Sequence, residues 1–332
     1  MAKRAKESAE ERLIARYFRP LAKHPGAFGL ADDAAAIAQP AGCDLVLTTD
    51  GVIAGVHFLP DDAARDVARK ALRINLSDLA AKGATPLGFL LSLALPVKTK
   101  ASWIAGFAAG LADDSERYAC PLFGGDTDHT VGPVMASITA FGAVPRGKMV
   151  RRSTAKPGDV VVVTGTIGDA ALGIKLRRKK SFGKSWRLKP KMTSHLLRRY
   201  LLPEPRNALA EAVLHHASAA MDISDGLAGD LDKLCRASAV AATIDVMRVP
   251  LSDAAQAAIA SARELWQTVL TGGDDYEILL TLPPDRVPAF HAAAARAGVA
   301  ATEIGRIGNG EGARFECHGK PLAFKRASYS HF

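Results

Sequence analysis

Short apolar runs that predict buried strands alternate with helical patterns along the chain, and this alternation limits the possible folds more than any other feature. In the first half, residues 45–49, 87–95 and 134–143 predict strands. Helical patterns lie before and between these strands. They cover residues 8–22, a long stretch that begins at Asp61-Asp62 and stops at Gly83, and residues 102–118. Interleaved strands and helices predict an α/β or α+β architecture.

The length of the chain predicts two domains, because 332 residues exceed the usual size of a single core. A turn-rich basic stretch, residues 145–159, separates the first half from a new strand over residues 160–164. We therefore predict an N-terminal α/β domain over residues 1–147 and a C-terminal α+β domain over residues 148–332. The second domain continues with a helix from Asp169, helices around 208–217 and 227–237, strands near 242–246, 278–282 and 303–307, and a hairpin loop at Gly308-Asn-Gly310-Glu-Gly312.

The positive charge of the chain is concentrated in one segment. The formal net charge is +9, and residues 175–191 contain nine basic residues and no acidic one, so this segment accounts for the whole excess. A basic excess generally suggests nucleic acid or a membrane surface as partner. Because it is confined to one segment, we interpret it as a solvated insertion.

The cysteines and the apolar runs exclude several classes of protein. Cys43, Cys120, Cys235 and Cys317 form no CxxC pair, which argues against a zinc knuckle and a dithiol redox site. The N-terminal segment mixes acidic with basic residues and lacks the apolar region of a secretory signal. The most apolar run, residues 87–96, is shorter than the ~20 residues that span a bilayer. We expect a cytoplasmic enzyme or binding protein with no membrane partner.

Acidic residues recur in five short clusters, most of them beside glycine, at the predicted ends of strands. Carboxylates there stand on a rigid scaffold, and glycine lets backbone amides approach an anion closely. Several carboxylates can share a site only if cations hold them together, and oxygen ligands without His or Cys favour Mg2+ bound jointly with phosphates. Any single cluster could be an ordinary turn, but five together favour phosphoryl chemistry on Mg2+. The clusters are Asp32-Asp33, Thr48-Thr49-Asp50-Gly51, Gly124-Gly125-Asp126-Thr127-Asp128, Asp222-Ile-Ser-Asp225-Gly226 and Gly272-Gly273-Asp274-Asp275.

A polar stripe interrupts the long helix of the first half. Asn75 and Asp78 lie three residues apart, on one face, among apolar residues. If this face is buried, both side chains need partners. The alternative is a solvated stripe on an amphipathic helix.

Seven motifs, in this order and spacing, resemble those of the thiamine-monophosphate kinases. They are Asp32-Asp33-Ala-Ala-Ala-Ile, Leu47-Thr48-Thr49-Asp50-Gly51 with Gly55-Val56-His57-Phe58, Lys70-Ala-Leu-Arg-Ile-Asn75-Leu-Ser-Asp78, Gly124-Gly125-Asp126-Thr127, Ala155-Lys-Pro-Gly-Asp159 with Gly165-Thr-Ile-Gly-Asp169, Asp222-Ile-Ser224-Asp225-Gly226, and Gly272-Gly273-Asp274-Asp275-Tyr276-Glu277. The resemblance covers nearly the whole chain. It also implies membership of the wider superfamily of ATP-using enzymes that includes aminoimidazole ribonucleotide synthetase.

The resemblance implies an activity and a set of roles. The activity is transfer of the ATP γ-phosphoryl group to thiamine monophosphate, the last step of thiamine diphosphate biosynthesis, with several Mg2+ ions, in a homodimer whose N-terminal domains join their sheets. The implied metal ligands are Asp33, Thr48, Thr49, Asp50, Asp78, Asp126, Asp222 and Asp225. The implied ATP contacts are Tyr118, Gly125, Asp126, Arg152 and Ser224, and the implied substrate contacts are His57, Asp274 and Tyr329. The implied catalytic residues are Asp50, Asp126 and Arg152.

Three positions depart from the family pattern. Ala31 stands where Gly is common, Asp274 where Glu is common, and Tyr329, expected to stack on the substrate, where Trp is frequent. His57, considered without the motif, would be a core histidine beside Phe58. No general base is expected, because an acceptor phosphate with a second pKa of ~6 is largely ionised at neutral pH.

Two other functions stay open at this point. One is an ATP-dependent synthetase of the same superfamily that acts on another small phosphate or amide; the absence of a cysteine from the N-terminal motif and the C-terminal end weighs against selenium or carbamoyl chemistry. The other is a nucleic-acid-binding protein in which Phe182 and Trp186 interleave with bases between the basic residues of segment 175–191. We do not expect nucleic acid to be a partner, since the family motifs lie outside that segment.

Overall fold

The computed structural model describes residues 8–324. Their contacts divide the chain into two compact units. The first unit comprises the residues up to Leu76 together with Thr85–Gly147, and the second comprises Ser77–Ala84 and the residues from Lys148 onward. Both units mix helices with a sheet, which confirms the predicted fold class.

The first unit begins with a continuous helical segment, as predicted. A capping box between Ser8 and Glu11 starts α1 (Ala9–Leu13), and the segment continues as a π-helix and a 3-10 turn as far as Leu21. After a short 3-10 helix (Pro25–Leu30), the α-helices and strands of this unit are β1 (Cys43–Ile53), α2 (Ala64–Ala81, whose last residues belong to the second unit), β2 (Thr85–Pro96), α3 (Ala101–Arg117), β3 (Leu122–Thr130) and β4 (Met135–Pro145).

Helix α2 begins at Ala64, slightly later than predicted. The carboxylate of Asp62 instead accepts a hydrogen bond from the amide of Leu59 at 2.7 Å, and its own amide donates to the carbonyl of Leu59. These residues therefore form a turn before the helix. At the other end, Gly83 adopts a positive φ of 71°, so it ends the helix as predicted.

The four strands of the first unit form one sheet in the order β1-β4-β2-β3. Strand β4 is antiparallel to both of its neighbours, and β2 and β3 are parallel. One face is apolar and buried, with Val46, Val52, Ile138 and Leu91 among its side chains. Because side chains alternate along a strand, the other face carries Leu47, Leu90 and Met135, whose exposed fractions are 68%, 40% and 40%.

The second unit contains a seven-stranded mixed sheet in the order β11-β10-β7-β9-β5-β8-β6. Its strands are β5 (Val160–Thr164), β6 (Ala219–Asp222), β7 (Ala241–Asp245), β8 (Ile278–Leu282), β9 (Ala301–Gly308), β10 (Gly312–Cys317) and β11 (Lys320–Leu322). Its remaining helices are α4 (Asp169–Arg178), α5 (Phe182–Ser185), α6 (Pro190–Leu201), α7 (Ala210–His216), α8 (Leu227–Ser238), α9 (Asp253–Ser261), α10 (Leu265–Thr271) and α11 (Val287–Arg296). Every residue of β5 and β8 is buried, so these strands lie in the core, as their apolar runs predicted.

The basic segment is exposed at most of its basic side chains, as expected, but its backbone is folded into helices. It contains the end of α4, all of α5 and the start of α6. Trp186 is only 4% exposed and stacks on Phe182 with ring centroids 4.9 Å apart, and both rings pack on the main core of the second unit. The exposed basic side chains are thus attached to a folded helical turn, and the ring of Trp186 is not available to stack on bases.

Two further expectations were wrong. The stretch Gly308-Asn-Gly310 is no hairpin loop, because β9 and β10 do not pair: β7 lies between them. The acidic clusters around Asp50 and Asp126 lie inside strands and not at strand ends, because β1 pairs with β4 along its full length and β3 continues beside β2 through Thr130. No helix among residues 8–324 has the length and apolar character needed to cross a membrane.

Candidate functional site

Strand β1 carries the first group of predicted metal ligands. The hydroxyl of Thr49 donates to the carbonyl of Ile138 at 3.2 Å and accepts from the hydroxyl of Thr139 at 3.1 Å. The amide of Asp50 donates to Oδ1 of Asn75 at 3.0 Å. Asn75 is fully buried, and its Nδ2 donates to the carbonyl of Ala71. The polar stripe predicted on this helix is therefore buried, and not solvated, at Asn75. Helix α2 thereby fixes the backbone at Asp50, whose carboxylate is on an exposed residue.

Strand β3 carries Gly125 and Asp126. A Cβ atom at Gly125 would overlap the backbone carbonyl of Leu91, and its φ is +153°, so only glycine fits this position. Asp126 is exposed, and its carboxylate accepts a hydrogen bond from the amide of Thr127 at 2.9 Å. The backbone of β2 thus leaves no room for a side chain at Gly125, the residue that precedes Asp126.

The sheet places the two groups on opposite edges. Asp50 pairs with Ile138, Ile138 with Leu91 and Leu91 with Gly125, so all four lie in one row across the sheet. Strands are spaced about 4.8 Å apart, which puts the backbones of β1 and β3 roughly 14 Å from each other. Asp50 and Asp126 are therefore not brought into contact within this sheet.

Other predicted residues of the first unit have well-defined surroundings. His57 is partly buried, and its Nδ1 accepts a hydrogen bond from the amide of Ile53 at 3.1 Å, which places the ring proton on Nε2. Tyr118 follows the last residue of α3, and the guanidinium groups of Arg73 and Arg117 lie 5.8 and 5.3 Å from its ring centroid. Asp33 lies on an exposed bend and Thr48 is partly buried in β1.

In the second unit, Asp78 and Asp222 form a cluster with Lys82. Asp222 is the last residue of β6, and burial together with the nearby carboxylates of Asp78 and Asp230 holds its pKa well above the usual range. Burial lowers the pKa of Lys82, although the nearby carboxylates of Asp222 and Asp78 act to raise it. The ammonium group of Lys82 donates a hydrogen bond to the carbonyl of Ala220 at 2.8 Å. Two neighbouring carboxylates, one of them buried, are an arrangement that a bound divalent cation would stabilise further.

The loop after β6 carries Ser224 and Asp225. The amides of Ser224, Asp225 and Gly226 all donate to one carboxylate oxygen of Asp230, at 3.0, 2.9 and 3.1 Å. The ammonium group of Lys233 lies 2.5 Å from Asp225 Oδ2 and 2.8 Å from Asp230 Oδ1. Two residues of α8 therefore hold this loop.

The loop before β8 packs directly on the Ser224 loop. The amide of Asp274 donates to the carbonyl of Ser224 at 2.8 Å, and the amide of Tyr276 donates to the carbonyl of Ile223. Asp274 has a φ of 73°, which is uncommon for a residue other than glycine, and a Cβ atom at Gly273 would overlap the carbonyl of Ser224. The loop that carries Asp274 thus lies directly beside the loop that carries Ser224 and Asp225.

Arg152 lies in an exposed turn, and its carbonyl accepts a hydrogen bond from the hydroxyl of Ser238 at 2.9 Å. Its guanidinium group is near enough to Lys82 to lower the pKa of that ammonium. The predicted substrate contact Tyr329 lies outside the described residues.

A buried ionic network underlies the Asp274 loop. Glu277 is fully buried and accepts hydrogen bonds from Arg199 at 2.8 Å, from Arg206 Nε at 2.6 Å and from the hydroxyl of Thr164 at 2.7 Å. Sequence reasoning did not find these partners, nor Lys82, Asp230 and Lys233. The sequence did contain one signal for Asp230. An acidic residue in the first helical turn after Ser-Asp-Gly is well placed to accept hydrogen bonds from the backbone amides at the start of the helix.

The donors present fit Mg2+ better than a transition metal. Among residues 8–324, no group of three or more His, Cys, Asp and Glu side chains is arranged to hold a metal ion. Mg2+ usually takes only one or two carboxylates and completes its shell with phosphate oxygens and water. Carboxylates and threonine hydroxyls without His or Cys are therefore compatible with a metal that arrives with a nucleotide.

The fold and the two sets of loops match one class of protein. Residues 31–144 match the family described as AIR synthase related protein, N-terminal domain, and residues 156–318 match the AIR synthase related protein, C-terminal domain. The thiamine-monophosphate kinase of Caulobacter vibrioides is 42% identical over 322 residues, which cover 96% of this chain and 89% of that protein. The chain therefore belongs to the AIR synthase related proteins, and among them to the thiamine-monophosphate kinase family.

Solved structures agree with this assignment. The crystal structure of thiamine-monophosphate kinase from Stenotrophomonas maltophilia K279a has a TM-score of 0.82 and 36% identity, covering 94% of this chain and 96% of that one. The structure described as AaThiL complexed with AMPPCP and TMP has a TM-score of 0.76 and 32% identity, covering 92% of this chain and 97% of that one. The family resemblance that the motifs predicted is thus confirmed.

Proposed function

We propose that this protein transfers the γ-phosphoryl group of ATP to thiamine monophosphate, giving thiamine diphosphate and ADP. The observation that carries this proposal is the 42% identity, over 96% of the chain, to a protein named thiamine-monophosphate kinase. The AMPPCP and TMP bound by a relative of 32% identity support the same pair of substrates, because AMPPCP is an analogue of ATP. The enzyme is accordingly a phosphotransferase with a phosphate group as acceptor.

In the first unit we assign metal binding to Asp33, Thr48, Thr49, Asp50 and Asp126, nucleotide contacts to Tyr118, Gly125 and Asp126, and a substrate contact to His57. Two features support these roles. The carboxylates of Asp50 and Asp126 are on exposed residues, whereas the backbone that carries each is fixed by Asn75 and by the close contact with Leu91. Rigid placement of accessible ligands is what phosphoryl transfer requires of a protein.

In the second unit we assign metal binding to Asp78, Asp222 and Asp225, nucleotide contacts to Arg152 and Ser224, and a substrate contact to Asp274. Burial first, and then the nearby carboxylate of Asp78, raise the pKa of Asp222, and a cation bound between the two carboxylates would offset both effects. The hydrogen bond between the loops of Asp274 and Ser224 supports adjacent sites for nucleotide and acceptor. The proposed role of Tyr329, a stacking contact with the substrate, rests on the motif alone.

The protein supplies position and charge and no general base. An acceptor phosphate is already largely ionised at neutral pH. Bound Mg2+ would neutralise the phosphate oxygens and the charge that develops on them. Arg152 would add a bidentate contact to those oxygens, for which its guanidinium group is suited.

We also propose a homodimer that forms through the sheet of the first unit. One face of this sheet exposes Leu45, Leu47, Leu90 and Met135 on neighbouring strands, with Leu47 68% exposed. Several exposed apolar side chains on one face of a sheet are typical of an interaction site. We place the enzyme in the cytoplasm, where ATP is available and where the free thiols of its four cysteines stay reduced.

The test is an assay of purified protein with ATP, Mg2+ and thiamine monophosphate, in which thiamine diphosphate is measured. Thiamine serves as the control acceptor, and a reaction with excess EDTA serves as the metal control. We expect product only with thiamine monophosphate and only with the metal. Well-folded protein that forms no thiamine diphosphate would overturn the proposal, and turnover with another small phosphate instead would favour the other synthetases of the superfamily.

A further inference from the structure

The loop Ser224-Asp225-Gly226 is closed by a carboxylate from the helix that follows it. Asp230 lies in the first turn of α8 and is fully buried. A single one of its oxygens, Oδ2, accepts from the three successive amides of the loop at 2.9 to 3.1 Å. The loop backbone is therefore fixed by one side chain at three consecutive points.

Three amides that converge at the start of a helix normally form a site for an anion such as phosphate. Here the protein's own carboxylate fills that position, so these amides cannot also donate to a phosphate group. The groups that the loop offers instead are the side chains of Ser224 and Asp225, both on partly exposed residues. Asp230 thereby turns an anion-binding backbone into a loop that presents a hydroxyl and a carboxylate.

Lys233, one turn further along α8, connects Asp230 to Asp225. Its ammonium group lies 2.8 Å from Oδ1 of Asp230, the oxygen that the amides leave available, and 2.5 Å from Oδ2 of Asp225. It therefore neutralises the buried carboxylate and also restrains the side chain of Asp225. Each oxygen of Asp230 has a defined partner, which fixes the rotamer of the carboxylate as well as the loop.

We propose that Asp230 is a positioning residue for phosphoryl transfer: it holds Ser224 and Asp225, before nucleotide arrives, in the conformation in which they bind ATP and its metal. This inference rests on the roles proposed above for Ser224 and Asp225. Pre-organisation of this kind strengthens binding because the loop need not be ordered when the ligand binds. The free enzyme and the nucleotide complex accordingly share one conformation of this loop.

A purely structural cap would behave differently on substitution. If Asp230 only stabilised the helix, its loss would reduce the fraction of folded protein, so kcat would fall while the KM for each substrate stayed the same. If Asp230 positions the loop, its loss raises the KM for Mg·ATP and the Kd for Mg·AMPPCP. The KM for thiamine monophosphate distinguishes this local effect from general damage, since the proposed effect concerns the nucleotide.

The first experiment compares Asp230→Asn with Asp232→Asn in the full chain. Asp232 lies on the same helix, but its carboxylate contacts Arg236 and the amide of Ala313 and not the loop. We expect Asp230→Asn to weaken Mg·AMPPCP binding, measured by calorimetry, at least tenfold and to leave the KM for thiamine monophosphate within twofold. Asp232→Asn should change neither. Unchanged Mg·AMPPCP binding by folded Asp230→Asn would overturn the inference.

The second experiment needs no variant that might misfold. Hydrogen exchange in the wild-type protein should show the amides of Ser224, Asp225 and Gly226 protected without nucleotide, and to the same degree after Mg·AMPPCP is added. Rapid exchange without nucleotide would overturn pre-organisation. Ser224→Ala and Asp225→Asn distinguish the role of the loop from the role of Asp230. If neither variant weakens Mg·AMPPCP binding, the loop does not bind the nucleotide as proposed. If both weaken it while Asp230→Asn does not, the loop binds the nucleotide but Asp230 does not position it.

Discussion

The side-chain oxygen Oδ1 of Asn75 accepts a hydrogen bond from the backbone amide of Asp50 at 3.0 Å. Strand β1 is an edge of its sheet, so this amide needs an acceptor from outside the sheet, and α2 supplies one. Asn75 is fully buried, and its Nδ2 is occupied by the carbonyl of Ala71. A buried amide side chain thus ties the strand that carries Asp50 to a helix.

Asn75→Ala should destabilise the protein and also reduce turnover. The substitution removes the acceptor of the Asp50 amide, and the loss of such a part-buried hydrogen bond costs about 0.5–1.5 kcal/mol. Arg65→Ala is the control on the same helix, because Arg65 is 56% exposed and its ion pair with Asp113 is superficial. Urea unfolding measures the stabilities. Equal unfolding free energies for the two variants would show that the Asn75 contact does not hold β1.

Asp50→Asn and Asp126→Asn should each reduce turnover by about 10²–10³-fold, the range found when one electrostatic contact of a transition state is removed. Both residues are exposed, so thermal unfolding should be nearly unchanged. Asp128→Asn is the matched control, since Asp128 is an exposed carboxylate two residues further along the same strand. A large loss of stability in the first two variants would mean that these carboxylates are structural.

The sequence predicted elements well where hydrophobic pattern decides the structure. Residues 160–164 and 278–282 are runs of Val, Leu, Ile and Thr, and the structure has β5 and β8 with the predicted bounds. Strand β3 was missed because Leu122–Thr130 contains Gly124, Gly125, Asp126 and Asp128, which favour a turn. It is a strand because the backbone of β2 pairs with it in parallel, and such long-range pairing leaves no local signal.

The positions of the candidate site residues were less predictable than their identity. Motifs identified Ser224 and Asp225, but not the carboxylate of Asp230 that fixes their amides. The segment around Trp186 was interpreted from its charge and from aromatic residues that lie between basic ones, yet the indole ring of Trp186 is buried in the core. In both cases the missing information is a tertiary contact made by a residue that no local pattern distinguishes.

Glu277→Gln should destabilise the second unit by roughly 3–5 kcal/mol, the usual cost of breaking a buried ion pair from one side. The substitution leaves the guanidinium groups of Arg199 and Arg206 without the carboxylate that they share. Glu204→Gln is the control, because Glu204 is 34% exposed and lies 3.6 Å or more from the same two arginines. Chemical denaturation of both variants measures their free energies of unfolding. A decrease of less than ~1 kcal/mol for Glu277→Gln would contradict the prediction.

Asp169 should contribute stability that disappears in acid. Burial, the largest single effect, would raise its pKa, but hydrogen bonds from His195, Ser252 and Thr166 outweigh burial and lower the pKa below the ordinary 3.8. A group whose pKa is lower in the folded state stabilises the protein above its unfolded pKa, and this contribution is lost as the pH falls through the folded pKa. The unfolding free energies of wild type and Asp169→Asn should therefore differ most above the ordinary pKa of 3.8 and approach each other as the pH falls below it. Curves that stay parallel down to acid pH would contradict this assignment.

Trp186→Ala should destabilise the protein by about 3–5 kcal/mol, as expected when a large buried aromatic side chain is removed. The reason is that Trp186, although it lies between basic residues, is 4% exposed, stacks on Phe182 and packs on the core. Lys184→Ala is the control in the same helical turn, because Lys184 is exposed and its substitution should change stability by no more than ~0.5 kcal/mol. Thermal and urea unfolding give both values. If Trp186→Ala unfolds like the control, the indole ring does not stabilise the core, and the aromatic rings of the segment are again available to a nucleic acid.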